Sequence, residues 1–287
     1  MWDGVFHAVS AFNTAGFALR ADSVTVWAQD PLVILTISAA VITGGLRFPV
    51  LVELVRRYRF SLSWSLTTRC VLVLSPVLLL AGTVFFAALE WRNPAVFGDM
   101  GTGGKILGSF FQSTVTRTAG FNSVDIAELH PVTWFGFDVL MFVGGGPAGT
   151  AGGIKITTAA VLAAMAWTEI TGGRAVNLFG RRIARDVHRQ ATTVVVLTLG
   201  VVYSATMTLM LLDPHLGLDR LLFEVVSAFA TVGPSTGITG DLSDPSLCVI
   251  VLVMMVGRLG PVTLATALAL QRRDLKYELP KERPLIG

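Results

Sequence analysis

Charge is scarce in this sequence. Asp, Glu, Lys and Arg make up 14% of the residues, whereas a soluble globular domain carries roughly a quarter. The solvated shell of an ordinary water-soluble protein is therefore missing. Cysteine is scarcer still, with Cys70 and Cys248 alone. They sit in apolar runs expected at opposite membrane depths, which argues against a disulfide between them. His7, His130, His188 and His215 lie far apart, without metal-ligand spacing. No Ser/His/Asp or Cys/His set can be brought together from the sequence, so catalysis is not expected.

Apolar length is what the chain has in abundance, with 53% hydrophobic residues and a mean hydropathy of +0.67. A helix crossing a bilayer needs about 20 apolar residues. Runs near Pro31–Leu51, Val71–Leu89, Thr133–Met165, Ala191–Leu212 and Pro245–Leu270 are expected to supply five spans. Three of them open on proline, in Asp30-Pro31, His130-Pro131 and Asp244-Pro245. Proline suits the first helical turn, where its missing amide hydrogen has no intrahelical partner to lose.

Basic residues fall in three clusters. Arg56, Arg57, Arg59 and Arg69 lie between the first two spans, and Arg174, Arg181, Arg182, Arg185 and Arg189 between the third and fourth. Arg272, Arg273, Lys276, Lys281 and Arg283 form the tail. Cytoplasmic loops are enriched in Lys and Arg, so all three clusters are placed inside. They account for the net charge of +3 and pI near 9.1 without implying nucleic-acid binding.

A twelve-residue pattern occurs three times on the opposite side: FHAVSAFNTAGF at 6–17, FFQSTVTRTAGF at 110–121 and FEVVSAFATVGP at 223–234. Aligned without gaps, the copies share Phe at the first position (Phe6, Phe110, Phe223) and a hydroxyl at the fifth (Ser10, Thr114, Ser227). They also share Thr at the ninth (Thr14, Thr118, Thr231) and Gly at the eleventh (Gly16, Gly120, Gly233). Each copy begins with an apolar segment too short to span, Phe6–Phe12, Phe110–Thr116 or Phe223–Phe229, and passes directly into Thr-x-Gly. This is the form expected of a re-entrant pore helix and filter, since irregular backbone at membrane depth needs a protein or watery lining. A helix aimed inward points its partly negative C-terminus at the axis and favours a cation. Glycine frees backbone carbonyls to turn toward the axis, where rings of them can replace the hydration shell of potassium.

These repeats, with GGGPAGTAGGIKITT at Gly144–Thr158 and GRLGPVT at Gly257–Thr263, resemble the Trk/Ktr/HKT superfamily of potassium transporters, and most of all its Ktr-type membrane subunit. The likeness runs over essentially the whole chain. It implies an all-α integral membrane protein with pseudo-fourfold repeats of helix, re-entrant pore helix, filter loop and helix, here with about five spanning helices and three pore helices. On that pattern residues 1–66 are a partial second unit, 67–186 a third unit and 187–287 a fourth unit with a cytoplasmic tail. The chain is expected to lack the first unit and the first helix of the second. The implied function is potassium uptake; the alternative is a truncated, non-conducting fragment or assembly partner derived from such a transporter.

The resemblance assigns Asn13, Thr14, Ala15 and Gly16, then Arg117, Thr118, Ala119 and Gly120, then Ala230, Thr231, Val232 and Gly233 to the ion filter. Potassium would lie at the backbone carbonyls of Thr14, Thr118 and Thr231. In this family serine in place of a filter glycine accompanies sodium selectivity, and all three glycines are present. Gly144, Gly145, Gly146, Gly149, Gly152 and Gly153 interrupt the third span. They are expected to form an intramembrane gate loop with Lys155 and with Arg258, an electrostatic barrier below the filter. A kinked helix with close glycine packing is the alternative for the loop, and a snorkelling or helix-pairing side chain the alternative for Arg258. Arg117 is expected to brace its filter against Glu224. No covalent cofactor is expected; the ions are potassium as cargo and sodium as a candidate coupling or activating ion. The implied partners are membrane lipid, a second copy in a homodimer and a cytosolic ring of nucleotide-binding regulatory subunits, all at the cell membrane.

Gly144-Gly145-Gly146-Pro147-Ala148-Gly149 also satisfies G-x-G-x-x-G, but no strand precedes it. A dinucleotide site is therefore not expected.

Overall fold

The computed structural model describes residues 2–20, 22–57, 63–98, 100–117, 119–147, 149, 152–173 and 175–260. Thr118, Arg59, Arg174, parts of the Gly144–Gly153 stretch and everything after Gly260, the basic tail included, lie outside the described residues.

The described chain is helical throughout except for one small hairpin. The first unit comprises α1 (Trp2–Phe12), α2 (Pro31–Leu46) and α3 (Phe48–Arg57). The second comprises α4 (Leu66–Glu90), a single turn α5 (Pro94–Phe97), α6 (Thr102–Thr116), α7 (Pro131–Phe142) and α8 (Ile156–Ile170). After the hairpin β1 (Asn177–Leu178) and β2 (Arg181–Arg182) come α9 (Arg185–Leu212), α10 (Leu218–Ala230) and α11 (Asp244–Leu259). The three short pore-helix segments expected from the repeats are the C-terminal ends of α1, α6 and α10. Each of these helices packs on the inner helix of its own unit, α2, α7 or α11, and α6 and α10 also contact the preceding unit's inner helix, α2 and α7. The units thus follow one another around a common centre.

Of the five expected spans, α4 and α9 are long and apolar enough to cross a membrane as single helices. The run at Pro31–Leu51 instead bends by 90° between α2 and α3. Pro49 has no amide hydrogen to continue the ladder, and Arg47 takes φ 69°. The run at Thr133–Met165 is not one helix but two short ones, α7 and α8. The fifth expected span is described only as far as α11 reaches. Pro31, Pro131 and Pro245 all stand in the first turns of their helices.

Capping of the inner helices follows one scheme. Asp30 accepts from the amides of Leu32 and Val33 in α2. In the next two units the cap comes from the end of the preceding long helix. Glu90, fully buried, accepts from the His130 amide and the Thr133 hydroxyl, and Asp213 accepts from the Ser243 amide and hydroxyl. Carboxylates at helix N-termini satisfy donors that otherwise have no partner.

The pore helices bury polar side chains beside their apolar ones. Ser109, Gln112, Ser113, Thr114 and Thr116 of α6 and Glu224 and Ser227 of α10 are buried. Val77, Leu80 and Val84 of α4, Val196, Leu199, Tyr203 and Leu211 of α9, and Val251, Leu252 and Met255 of α11 are exposed. Exposed apolar surface of this extent suits lipid contact. The apolar core is aromatic, with Phe86 and Phe137 stacked at 5.4 Å. The inner loops also meet: Arg69 Nη1 donates to the Phe179 carbonyl and Arg181 Nη2 to the Trp64 carbonyl, each at 3.3 Å. Two of the basic clusters therefore share one side of the molecule.

Two glycines hold the inner helices against the pore helices. A Cβ on Gly44 would lie 1.8 Å from the Phe12 carbonyl oxygen, and one on Gly257 would lie 1.9 Å from that of Phe229. Both phenylalanines occupy the seventh position of the repeat. Gly44→Ala and Gly257→Ala are each expected to destabilise the protein by about 1–3 kcal/mol, as overpacking against backbone does. Gly45→Ala, which meets nothing within 4 Å, serves as the neutral control; equal melting temperatures in detergent for all three variants would contradict this.

Candidate functional site

The segments expected to form the filter follow the C-termini of α1, α6 and α10. In the first and third copies the local hydrogen bonding is the same. The ninth-position amide returns to the sixth-position carbonyl (Thr14 to Ala11, Thr231 to Ala228), and the tenth-position amide to the fifth-position carbonyl (Ala15 to Ser10, Val232 to Ser227). Thr14 and Thr231 share a left-handed φ of 53°. The shared fifth-position hydroxyl then donates forward to the twelfth-position carbonyl: Ser10 to Phe17 at 2.8 Å and Ser227 to Pro234 at 2.6 Å. This bond pins each filter to its own pore helix. The second copy departs from it, for Thr114 donates to Phe110 within its helix and the Ala119 and Gly120 amides both return to Val115.

All three filter glycines have positive φ, 74° at Gly16, 64° at Gly120 and 107° at Gly233. A side chain is excluded for a second reason. A Cβ on Gly16 would lie 2.2 Å from the Ala119 carbonyl oxygen, and one on Gly120 would lie 2.1 Å from that of Val232. Each glycine therefore abuts the tenth-position carbonyl of the next copy, which sets the three segments side by side in chain order. At Gly233 the nearest atom to such a Cβ is the Gly120 Cα, at 3.9 Å.

Arg117 and Glu224 take other partners than each other, correcting the expected pair. Arg117 Nη1 donates to the Ser75 carbonyl at 3.1 Å, beside Pro76 of α4. Glu224 accepts from the hydroxyls of Ser235 at 2.8 Å and Thr239 at 2.5 Å, bracing the chain just after the third filter. Asn13 donates to the Val9 carbonyl and closes the end of α1.

Beneath the filters, the glycine-rich stretch leaves α7 at Phe142 and returns at Ile156. Its two ends meet in a single parallel bridge between Val143 and Ile154, with the Gly144 amide on Ile154 and the Ile154 amide on Phe142, both at 2.9 Å. It is thus a closed loop rather than a kinked helix. Gly144, Gly145, Gly146, Gly152 and Gly153 are buried. The Gly152 amide donates to the Ala230 carbonyl at 3.1 Å and the Thr231 hydroxyl at 2.9 Å, so the loop docks on the third filter. Lys155 Nζ donates to the Gly149 carbonyl at 3.4 Å. A cavity of about 440 Å³ opens beyond the loop, lined by Gly149, Gly153, Lys155 and Arg258 among others. The structure therefore brings Arg258 and the loop to one space.

Arg47 was not singled out from the sequence. It is 8% exposed, adopts φ 69° and ψ 157°, and its Nη2 donates to the Thr14 hydroxyl at 3.1 Å. Residues other than glycine adopt such dihedrals at a cost of about 1–3 kcal/mol. The available signal was an arginine ending an apolar run at Gly44-Gly45-Leu46-Arg47, three residues beyond Gly44, whereas Arg258 follows Gly257 directly.

Comparison with known proteins agrees with this architecture. The family model of TrkH, cation transport protein, matches residues 1–276. The chain is 39% identical over 289 residues to Ktr system potassium uptake protein B of Vibrio alginolyticus, covering 100% of this chain and 63% of that protein. It is 35% identical over 280 residues to the Bacillus subtilis protein of the same name, covering 96% and 62%. It is 32% identical over 292 residues to the potassium/sodium uptake protein NtpJ of Enterococcus hirae, covering 100% and 64%. The crystal structure of the potassium transporter TrkH from Vibrio parahaemolyticus superposes with a TM-score of 0.79 at 16% identity, over 94% of this chain and 59% of that one. The chain thus spans about three fifths of the length of these proteins.

Loss of the hydroxyl in Ser227→Ala removes two contacts, since Ser227 Oγ also accepts from the Gly233 amide. A destabilisation of about 1–3 kcal/mol is expected. Thr114→Ala, whose hydroxyl serves only its own helix, is expected to cost less, and thermal melts of the two variants that reverse this order would contradict the pinning role.

Proposed function

The chain belongs to the TrkH family of cation transport proteins, and on that premise we propose that it carries potassium into the cell through a filter of backbone carbonyls. The observation that supports this best is the side-by-side setting of the three filter segments. Gly16 and Gly120 each lie against a neighbouring carbonyl oxygen, of Ala119 and of Val232, so successive copies meet at backbone carbonyls. Carbonyl dipoles so grouped can stand in for the water around a potassium ion, and the C-termini of α1 and α10 add a negative field. Thr14, Thr118 and Thr231 with the residues that follow them, up to Gly16, Gly120 and Gly233, form the ion path. Residues 1–66, 67–186 and 187–287 are the corresponding pore units.

The Gly144–Gly153 loop is the gate in this reading. Its Gly152 amide reaches the third filter, its Gly149 carbonyl accepts from Lys155, and it shares the cavity with Arg258. A cation leaving the filter must pass these positive groups, so the loop and Arg258 form the main barrier. Potassium is the preferred cargo because glycine stands at all three eleventh positions; sodium is assigned a coupling or activating role, in keeping with the potassium/sodium uptake relative. The partners are membrane lipid, a second copy in a homodimer and a cytosolic nucleotide-binding ring. The hairpin Asn177–Arg182, with Arg181 and Arg182 exposed, is the surface offered to that ring.

Expressed in cells without potassium uptake systems of their own, the chain is expected to support growth on low potassium and to take up rubidium. Gly120→Ser is expected to weaken discrimination against sodium, because Cβ would displace the Val232 carbonyl. An unchanged rubidium-to-sodium ratio in that variant would sink the filter assignment.

A further inference from the structure

Arg47 ends α2 at the 90° bend. A basic residue at the inner end of a span would ordinarily reach the cytoplasm. Its side chain instead turns back into the protein, donating from Nη2 to the Thr14 hydroxyl. The other side of the guanidinium is closed by the glycine-rich loop: a Cβ on Gly149 would lie 2.2 Å from Arg47 Nε, and one on Gly146 would lie 3.4 Å from Arg47 Cγ. Nε has no hydrogen-bond partner. Among the described residues no carboxylate lies within ion-pair distance of it.

A buried cation without a counter-charge is costly, so something else must offset the charge. Thr14 stands directly after the C-terminus of α1, where the aligned peptide dipoles of the helix leave partial negative charge. These are the dipoles that the filter reading offers to potassium. The matching hydroxyl in the third copy, Thr231, accepts from the neutral Gly152 amide. The first and third filter segments thus carry unlike donors at the same position, one a full positive charge and one a backbone amide.

We propose that the Arg47 guanidinium is a tethered cation at the inner end of the first filter segment, competing with potassium for the oxygens around Thr14 and barring the exit until the glycine-rich loop moves. The order of groups from the filter inward is then Thr14, Arg47, the loop at Gly149, and the cavity with Lys155 and Arg258. This inference rests on the filter reading and adds a second charged barrier, on the opposite side of the loop from Arg258.

The test uses three substitutions and two readouts. Arg47→Gly suits the left-handed backbone and removes the charge; Arg47→Gln keeps hydrogen-bond donors without charge; Arg47→Lys keeps charge without the planar fork. Rubidium uptake into proteoliposomes reads the barrier. The potassium concentration that raises the melting temperature of the purified protein, against choline, reads binding without flux. Uptake is expected to rise, and the stabilising concentration to fall by about tenfold as removal of an adjacent charge allows, in the Gly and Gln variants, with Lys between them and the wild type. A Gln variant that behaves as the wild type while Gly differs would show a hydrogen-bonding clamp and overturn the charge assignment. Potassium stabilisation unchanged in all three variants overturns the role of Arg47 alone. No response to potassium in any of the four proteins overturns the filter reading as well.

Discussion

Close approach of backbone to backbone is the constraint on which the rest of this structure depends. At Gly16 and Gly120 the segments of successive copies come so near that a single methyl group would overlap a carbonyl oxygen. The same holds between the inner and pore helices at Gly44 and Gly257. In a bilayer the hydrophobic effect does not favour one helix pairing over another, and packing at small residues takes its place. Here that packing sets Gly16 and Gly120 against the carbonyl oxygens of Ala119 and Val232, groups on which the proposed filter relies.

Around this centre the chain places polarity where a soluble protein places its core. The pore helices bury hydroxyls and a carboxylate, and each has a use: Ser10 and Ser227 pin the filter ends, and Glu224 holds Ser235 and Thr239. Positive charge is gathered below. Arg47 and Lys155 are partly or wholly buried, and Lys155 and Arg258 share the cavity under the loop. In the proposed reading the cation path combines attraction at the filter with repulsion at the exit, and the glycine-rich loop separates the two.

Much of this was legible in the sequence. The three repeats marked the C-terminal ends of α1, α6 and α10 and the positive-φ glycines that follow them, because the eleventh position takes positive φ in every copy and at Gly16 and Gly120 also leaves no room for a side chain. The fifth-position hydroxyl was visible as a shared feature, but its forward bond to the twelfth residue was not, since that contact depends on how the chain turns after the helix. Hydropathy overstated the first and third spans: an apolar run reports burial or lipid contact, not helical continuity, and both runs are broken at residues with irregular backbone. The pairing of Arg117 with Glu224 assumed that opposite charges meet, whereas Arg117 donates to the Ser75 carbonyl and Glu224 accepts from two hydroxyls. Arg47 escaped notice because its importance lies in a bend that returns the side chain to the interior.

The most direct test of the carbonyl-filter account is anomalous diffraction from crystals grown in rubidium. The account predicts rubidium density on the axis bounded by the carbonyls of residues 14–16, 118–120 and 231–233, lost when sodium replaces rubidium. Well-ordered filter segments with no rubidium between them, or with equal occupancy by sodium, would contradict it.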